Sequence, residues 1–361
     1  MSDPPPARHN FERILIVRLS SLGDVVHALP AAAMLRVAFP HATLGWLIEE
    51  RWTELLCTLS YPRAGARSPQ RPLVDHIHPV KLKTWRRTLY SPQTWEQIAA
   101  GLSDLHAVRY QVAVDLQGAV RSAVLARWSG APSIYGANQT RENIASMWYT
   151  REVLTRGTHV VEQACSIVEA VTGERRPIPS AQLPCDPIAE SAVALRLHKL
   201  GIQDFVILNP GAGWGAKQWP PERYGELAVA LSDRGLRPII NFGPGEQELA
   251  SAAESAGAGS AVALSLPISE LVALTRRARL FIGGDTGPMH LAAALKVPVV
   301  ALFGPTDPAR NGPYATPSIV LRNPASRTSL SHRDQSDPGL LAITVDQVAK
   351  AAFQLLGADR G

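Results

Sequence analysis

Three stretches of the chain bring small, flexible and ionisable residues together where a strand would hand over to a helix. The first is Ser20-Ser21-Leu22-Gly23-Asp24, followed by Val25-Val26-His27-Ala28-Leu29-Pro30. A Ser-Ser-x-Gly turn ahead of a helix exposes backbone N–H groups, and either serine can cap it. Asp24 adds a carboxylate in the first turn. A plain turn, with Asp24 only complementing the helix dipole for ~0.3–1 kcal/mol, accounts for the same residues. Pro30 tips the balance, because it conflicts with the helical stretch around it and such conflicts gather at functional or strained sites. The second stretch runs Asn209-Pro210-Gly211-Ala212-Gly213-Trp214-Gly215-Ala216-Lys217-Gln218-Trp219-Pro220. Its glycines let the backbone approach a ligand closely, and one lysine waits at the end to meet a phosphate. Lys217 between two tryptophans is poorly explained as a solubility device. The third is Gly283-Gly284-Asp285-Thr286-Gly287-Pro288-Met289-His290. Here Thr286 and the N–H groups after it make an anion site of the helix-start type, with N-capping alone as the alternative. Gly304-Pro305-Thr306-Asp307-Pro308 ends the next strand at the same rim.

Several chemistries drop out. None of these loops has Walker A or GxGxxG spacing. Asp285-Thr286-Gly287 matches the aspartic-protease tripeptide, but those enzymes are β-rich and here it opens a helix. His76 and His78 share one face of a strand without a third ligand, so no metal site is expected. Cys57, Cys165 and Cys185 are odd in number and far apart, which fits neither a disulfide framework nor a metal cluster and suits a reducing compartment. The 361 residues are 46% hydrophobic and 19% charged, an ordinary globular balance that excludes wholesale disorder or coiled coil. No apolar run approaches the ~20 residues of a membrane span. Met1 to Arg13 is polar and Pro-rich without an apolar core, so a cytoplasmic protein is expected. The net charge is +5, and the basic residues are 30 arginines against six lysines. Arginine suits bidentate recognition of phosphate and carboxylate. A nucleic-acid binder would spread basic and aromatic residues over a broad face, whereas the clearest such run is Lys81–Arg87.

The loops need elements to hold them. Apolar runs at Arg13–Leu19, Thr43–Ile48, Val74–Ile77 and Tyr110–Leu116 read as strands, alternating with helical patterns at Val25–Phe39, Thr94–Leu105 and Ala119–Trp128. Gly173–Pro187 holds four prolines and reads as a linker. The alternation then restarts. Phe205–Asn209, Pro238–Phe242, Ala261–Leu264, Leu280–Ile282 and Val297–Phe303 are strands. Pro221–Asp233, Glu246–Ala256, Ile268–Arg276, Gly287–Leu295 and Thr344–Leu356 are helices. Near-continuous apolar strands alternating with helices predict an α/β chain of two doubly wound parallel-sheet domains facing across a cleft. The expected boundaries are 1–175 for an N-terminal domain, 188–340 for a C-terminal domain, and 341–361 for a terminal helix packing back on the first. Pro324–Gly339 is polar and reads as a surface loop.

Taken together, SSLGDVVHALPA, DLQGAVRSA at Asp115–Ala123, NPGAGWGAKQWPPERY, GGDTGPMHLAAAL and GPTDP resemble the bacterial lipopolysaccharide heptosyltransferases of glycosyltransferase family 9, two-Rossmann enzymes of the GT-B fold. The resemblance runs from about Arg13 to Leu356. Trp46–Glu50, His78-Pro79-Val80 with Lys83, Trp85, Arg86 and Arg87, and Thr140-Arg141-Glu142 look most like the branch that adds the first heptose to Kdo. One departure is a longer Gly-rich loop before Lys217.

The resemblance implies an inverting transfer from ADP-heptose that needs neither metal nor cofactor. It implies Asp24 as the base and Lys217 on the leaving diphosphate. Ala212, Gly213, Lys217, Glu246, Leu266, Asp285, Thr286, Gly287 and His290 would bind the donor, with Glu246 on the ribose hydroxyls, Glu248 as the fallback there, and Leu266 against adenine. Ser21, Gly23, Lys83, Arg86, Arg87, Gln117, Arg121 and Arg141 would bind the acidic acceptor, Kdo on lipid A. The implied partner is the inner-membrane surface, not nucleic acid, and the implied state a monomer. The alternatives are another branch of the family, with a different nucleotide-heptose or acceptor, and a non-catalytic binder of acidic glycolipid.

Overall fold

The computed structural model describes residues 10–180, 182–329 and 337–358. The chain divides after Cys185 into two units. In the first, the order is β1 (Arg13–Val17), α1 (Leu22–Ala38), β2 (Thr43–Glu49), β3 (His76–Val80), α2 (Leu82–Trp85), α3 (Pro92–Ala107), β4 (Val112–Asp115), α4 (Val120–Trp128), β5 (Ser133–Ala137), β6 (Arg151–Val153) and α5 (Val160–Thr172). The six strands form one parallel sheet in the order β3-β2-β1-β4-β5-β6.

The second unit runs α6 (Pro187–Lys199), β7 (Phe205–Asn209), α7 (Pro221–Ser232), β8 (Arg237–Asn241), α8 (Gln247–Ala256), β9 (Val262–Leu264), α9 (Ile268–Arg277), β10 (Leu280–Gly284), α10 (Gly287–Ala294), β11 (Val299–Phe303), α11 (Pro308–Asn311), β12 (Ser318–Arg322), α12 (Pro338–Leu341) and α13 (Val345–Ala358). Its sheet is parallel too, in the order β12-β11-β10-β7-β8-β9. Alternate residues of its strands enter two cores. Val206, Leu208, Ile240, Leu280, Ile282 and Leu302 face one way, while Phe205, Ile207, Ile239, Phe281, Ala301 and Phe303 face the other. A sheet apolar on both faces explains why its strands read as continuous runs.

In each sheet the chain first builds to one side of its opening strand and then returns to the other. That leaves a switch point between β1 and β4 in one unit and between β7 and β10 in the other. Ligands in open α/β sheets bind outside the strand ends at such points. The Ser20–Asp24 loop follows β1, and the loops ending at Lys217 and beginning at Asp285 follow β7 and β10.

Some expectations need correction. α1 starts three residues before Val25 and continues unbroken through Pro30, which lies about two turns beyond the Ser20–Asp24 loop. The proline therefore does not mark the site. β3 begins at His76, two residues later than expected, and β5, β6, β12, α5 and α6 were not anticipated. The three strands are short; β6 and β12 are edges with little burial, and β5 carries Ser133 and Gly136. The terminal helix contributes to the core of the second unit. Val348, Ala349, Ala351 and Ala352 of α13 lie in the second unit's core with Val206 and Leu208. Of the polar stretch 324–339, residues 330–336 lie outside the described residues, and Gly339 at its end is buried in α12. No helix of the described residues is long and apolar enough to cross a membrane.

Candidate active site

At the first switch point the capping geometry of α1 fixes the Asp24 carboxylate. The Ser21 N–H donates to Asp24 Oδ2 at 2.9 Å, and the Ser21 hydroxyl lies 3.1 Å from the same oxygen. Arg18 Nη2 sits 2.6 Å from Oδ1. Burial pushes the carboxyl up, but Arg18, the two bonds from Ser21, and Arg141 outweigh it and hold Asp24 below the usual carboxylate range. The side chain keeps 36% of its surface exposed, so it is both anchored and reachable.

The neighbouring loop after β4 is tied to this one. Gln117 Oε1 accepts the Leu19 N–H at 2.8 Å, while its buried Nε2 has no partner. Buried Asp115 organises that loop, accepting from the Gln117 N–H (2.8 Å), Ser122 Oγ (2.8 Å) and Tyr149 OH (2.8 Å). Gly118 adopts φ +68°, where a Cβ would sit 3.3 Å from the Arg141 nitrogen. Only glycine lets the 140–142 segment rest there. Glu142 then closes it, donating its N–H to Gly118 O and accepting from the Val120 N–H at 3.0 Å. Arg141 is thereby brought within electrostatic reach of Asp24. Arg121 Nη2 approaches Ser20 Oγ at 3.4 Å.

Lys83 joins this group through Glu49, whose carboxyl is pushed up by burial against the pull of Arg51, Arg121 and Lys83. Trp85 anchors α2 in the core, and its indole N–H donates to Gln97 at 3.1 Å. Arg86 and Arg87 lie exposed just past α2, and among the described residues their guanidinium groups make no hydrogen bond or ion pair. No contact joins them to Asp24. Of the acceptor residues, then, the structure gathers Ser21, Gly23, Gln117, Arg121 and Arg141 near Asp24, sets Lys83 within electrostatic reach of Glu49, and shows no contact of Arg86 or Arg87 with that group.

His76 and His78 are stacked, 6.2 Å between ring centroids. His78 is enclosed by Asp104 (Nδ1, 2.6 Å) and Tyr110 (Nε2, 2.7 Å), a packing arrangement. Among the described residues no group of three His, Cys, Asp or Glu side chains could hold a metal.

At the second switch point Lys217 Nζ donates to Asp285 Oδ2 at 2.6 Å and lies 5.1 Å from the Trp214 ring. His290 Nε2 meets the other carboxylate oxygen at 3.0 Å. Burial alone would raise the Asp285 carboxyl, but His290 and Lys217 outweigh it and hold it far below the usual range. Three strand ends converge to make this possible. A Cβ on Gly284 would sit 3.0 Å from the Lys217 carbonyl, and one on Gly304 would sit 3.2 Å from that of Ala216. Thr286 occupies the N-cap position of α10 without a side-chain cap bond, so its hydroxyl is buried without a partner, as is that of Thr306.

One strand further out, Asn241 donates to Asn209 Oδ1 at 2.6 Å, and Asn209 donates to the Gly211 carbonyl at 2.9 Å. Glu246 Oε2 accepts the Gly243 N–H at 2.7 Å, and a Cβ on Gly211 would lie 2.2 Å from the carboxylate carbon. Glu246 is thus turned onto the first loop, whereas Glu248 is exposed on α8. Ala212 accepts from Gln218, Gly213 is open, and Leu266 follows β9 at the sheet edge, packed on the core. Sequence reasoning missed Arg18, the Asn209–Asn241 pair, the Asp115–Tyr149 bond and Thr306. An arginine inside an otherwise apolar strand run was the available signal for the first, and Thr306 stood in a motif already singled out.

The model of the family described as glycosyltransferase family 9 (heptosyltransferase) matches residues 99–339. Lipopolysaccharide heptosyltransferase 1 of Pseudomonas aeruginosa is 29% identical over 322 residues, covering 86% of this chain and 83% of the relative. The protein so described from Escherichia coli K12 is 29% identical over 323 residues, covering 86% and 94%. The solved structure of E. coli heptosyltransferase WaaC with ADP aligns with a TM-score of 0.75 at 26% identity, covering 95% of this chain and 99% of that one.

Proposed function

The chain belongs to glycosyltransferase family 9, the heptosyltransferases, and from that premise we propose that it moves L-glycero-D-manno-heptose from ADP-heptose to Kdo of the lipopolysaccharide inner core, inverting the anomeric carbon. The observation that carries this reading is Lys217, held by Asp285 at the start of α10 beside the orphan Thr286 hydroxyl. An ammonium has three protons and Asp285 takes at most two, so one is left for a ligand. The buried hydroxyl without a partner costs ~1–3 kcal/mol, which an oxygen-rich ligand would recover. Relatives that align over 86% of this chain are described as heptosyltransferases, and one related structure was solved with ADP.

The strand order supports the rest of the donor site as we assign it. From β10 and β7 outward come Lys217 with Thr286–Gly287, then Glu246 after β8, then Leu266 after β9. That is the order of diphosphate, ribose and adenine along ADP. In the reaction the bond from the anomeric carbon to the diphosphate oxygen breaks, ADP leaves, and a bond to the acceptor oxygen forms on the opposite face. Lys217 and the first N–H groups of α10 meet the charge growing on the phosphate, so we assign the leaving group to these residues without a divalent ion. The acceptor hydroxyl gives its proton to Asp24. A carboxylate this acidic takes a proton only when the hydroxyl has become very acidic, which requires bond formation to the oxocarbenium-like carbon first. Arg121, Arg141 and Lys83 suit the acceptor's carboxylates and phosphates. The enzyme would work at the cytoplasmic face of the inner membrane, as a peripheral monomer.

Mass spectrometry of ADP-heptose turnover with Kdo₂-lipid A, set against an acceptor already carrying heptose, tests the assignment. Consumption only with the heptosylated acceptor would move the chain to another branch, and none with either would remove the reading.

A further inference from the structure

The turn between α2 and α3 exposes an apolar tip that the folded chain does not need. Tyr90 is 100% exposed, Trp95 57% and Leu89 43%. The tip is built rather than frayed. Thr88 and Thr94 join hydroxyls at 2.8 Å, and the Ser91 and Thr94 N–H groups each donate at 3.0 Å within the turn. Trp85 before it and Leu105 after it are buried. The Trp95 indole N–H donates to the Leu89 carbonyl at 2.9 Å, which uses up the ring's one polar atom and leaves hydrocarbon facing outward. Along residues 83–96 the segment carries Lys83, Arg86 and Arg87, all exposed, against one carboxylate, Glu96.

Exposed aromatics ringed by cations match the interface of an anionic bilayer, where the rings enter the headgroup layer and the cations meet phosphates. A second copy of this chain would present the same cations and be repelled. We propose that residues 86–95 seat the protein on the anionic phospholipid surface, with Leu89, Tyr90 and Trp95 inserted and Arg86 and Arg87 on the headgroups. This rests on the reading that the acceptor is membrane-borne. It also gives Arg86 and Arg87, which make no contact with Asp24, a role at the lipid rather than at the reacting hydroxyl.

The full-length protein is sedimented, without donor or acceptor, with vesicles of phosphatidylcholine alone or mixed with phosphatidylglycerol. The wild type binds the anionic vesicles. Tyr90→Ser/Trp95→Ser lowers that partition about tenfold or more, and Tyr90→Ser alone lowers it in part. Brominated lipid quenches part of the wild-type tryptophan emission, and Trp95→Phe abolishes that part. Turnover with a water-soluble Kdo acceptor stays at the wild-type level in the double variant, while turnover with vesicle-borne acceptor falls. Equal partition of wild type and double variant, or equal binding to neutral vesicles, overturns the proposal. So does self-association that the double variant removes, which would make a second copy the occupant. Because the vesicle assay holds no substrate, its outcome is independent of whether heptose transfer is the activity.

Discussion

Asp24 and Lys217 look alike on paper, each a charged residue at the end of a loop, but they carry opposite charges and meet different partners. Asp24 is held as a carboxylate by Arg18, Ser21 and Arg141 yet stays reachable. Asp24→Asn keeps the shape and removes the proton acceptor, so the chemical step should slow by at least ~10²-fold while ADP affinity changes little. Because its pKa lies below the ordinary value of ~3.9, Asp24 is ionised at every pH above about 4. The acid limb of kcat/KM assigned to it should therefore fall below that pH, and a pH–rate profile checks this. An acid limb near neutrality that vanishes in the asparagine variant would show the opposite sign of shift. Lys217→Ala removes a charged donor from a diphosphate, worth ~1.5–3 kcal/mol, so ADP binding by calorimetry should weaken ten- to a hundredfold. Turnover should fall as well, since charge on the phosphate rises toward the transition state. Activity should also survive exhaustive EDTA treatment. Loss with specific rescue by magnesium or manganese would take the leaving group away from Lys217.

At the scale of elements, the candidate site was legible wherever a loop sat between an apolar run and a helix. β7 and the loop to Lys217, and β10 with the start of α10, were readable because a doubly buried strand is an uninterrupted apolar string. What could not be read were pairings made across the sheet. Arg18 meets Asp24 across a turn of the chain, but Asn209 meets Asn241 across 32 residues and Tyr149 meets Asp115 across 34. No local pattern carries those bonds. Edge strands such as β6 and β12 were invisible for a related reason, since half-exposed strands lack the apolar string. Gly211 shows what the cross-sheet contacts demand. Its missing Cβ is the space that the Glu246 carboxylate fills, so Gly211→Ala must push Glu246 aside. The expected result is a donor KM raised about tenfold, with kcat and the melting temperature changed much less, and with Glu246→Gln reproducing the KM effect. An unchanged KM in both would take Glu246 off the donor.

For the whole molecule, the two units have separate cores, and the last helix belongs to the second. The proline-rich stretch near Cys185 was a readable boundary, but the partner of α13 was not, because an amphipathic helix carries no address in its own sequence. α13 inserts Val348 and Ala352 beside Val206 and Leu208, with Phe353, Leu355 and Leu356 packed over them. The segment before it takes the Trp219 indole N–H on the Ile343 carbonyl at 2.9 Å, and Arg223 bonds the carbonyls of Leu341 (2.6 Å) and Ile343 (2.9 Å). Trp219 follows Lys217 by two residues, so the C-terminal segment braces the end of the Lys217 loop. Burying a large apolar side chain is worth ~1.5–3 kcal/mol against a domain stability of ~5–15 kcal/mol. Truncation after Thr344 should therefore unfold most of the second unit and spare the first. Calorimetry of the intact protein should show one transition raised by ADP, because a ligand stabilises only the unit that binds it. The truncated chain should lose that transition and its ADP binding together, while the ADP-insensitive transition persists. If instead the ADP-sensitive transition survived truncation and the other one disappeared, α13 would belong to the first unit after all.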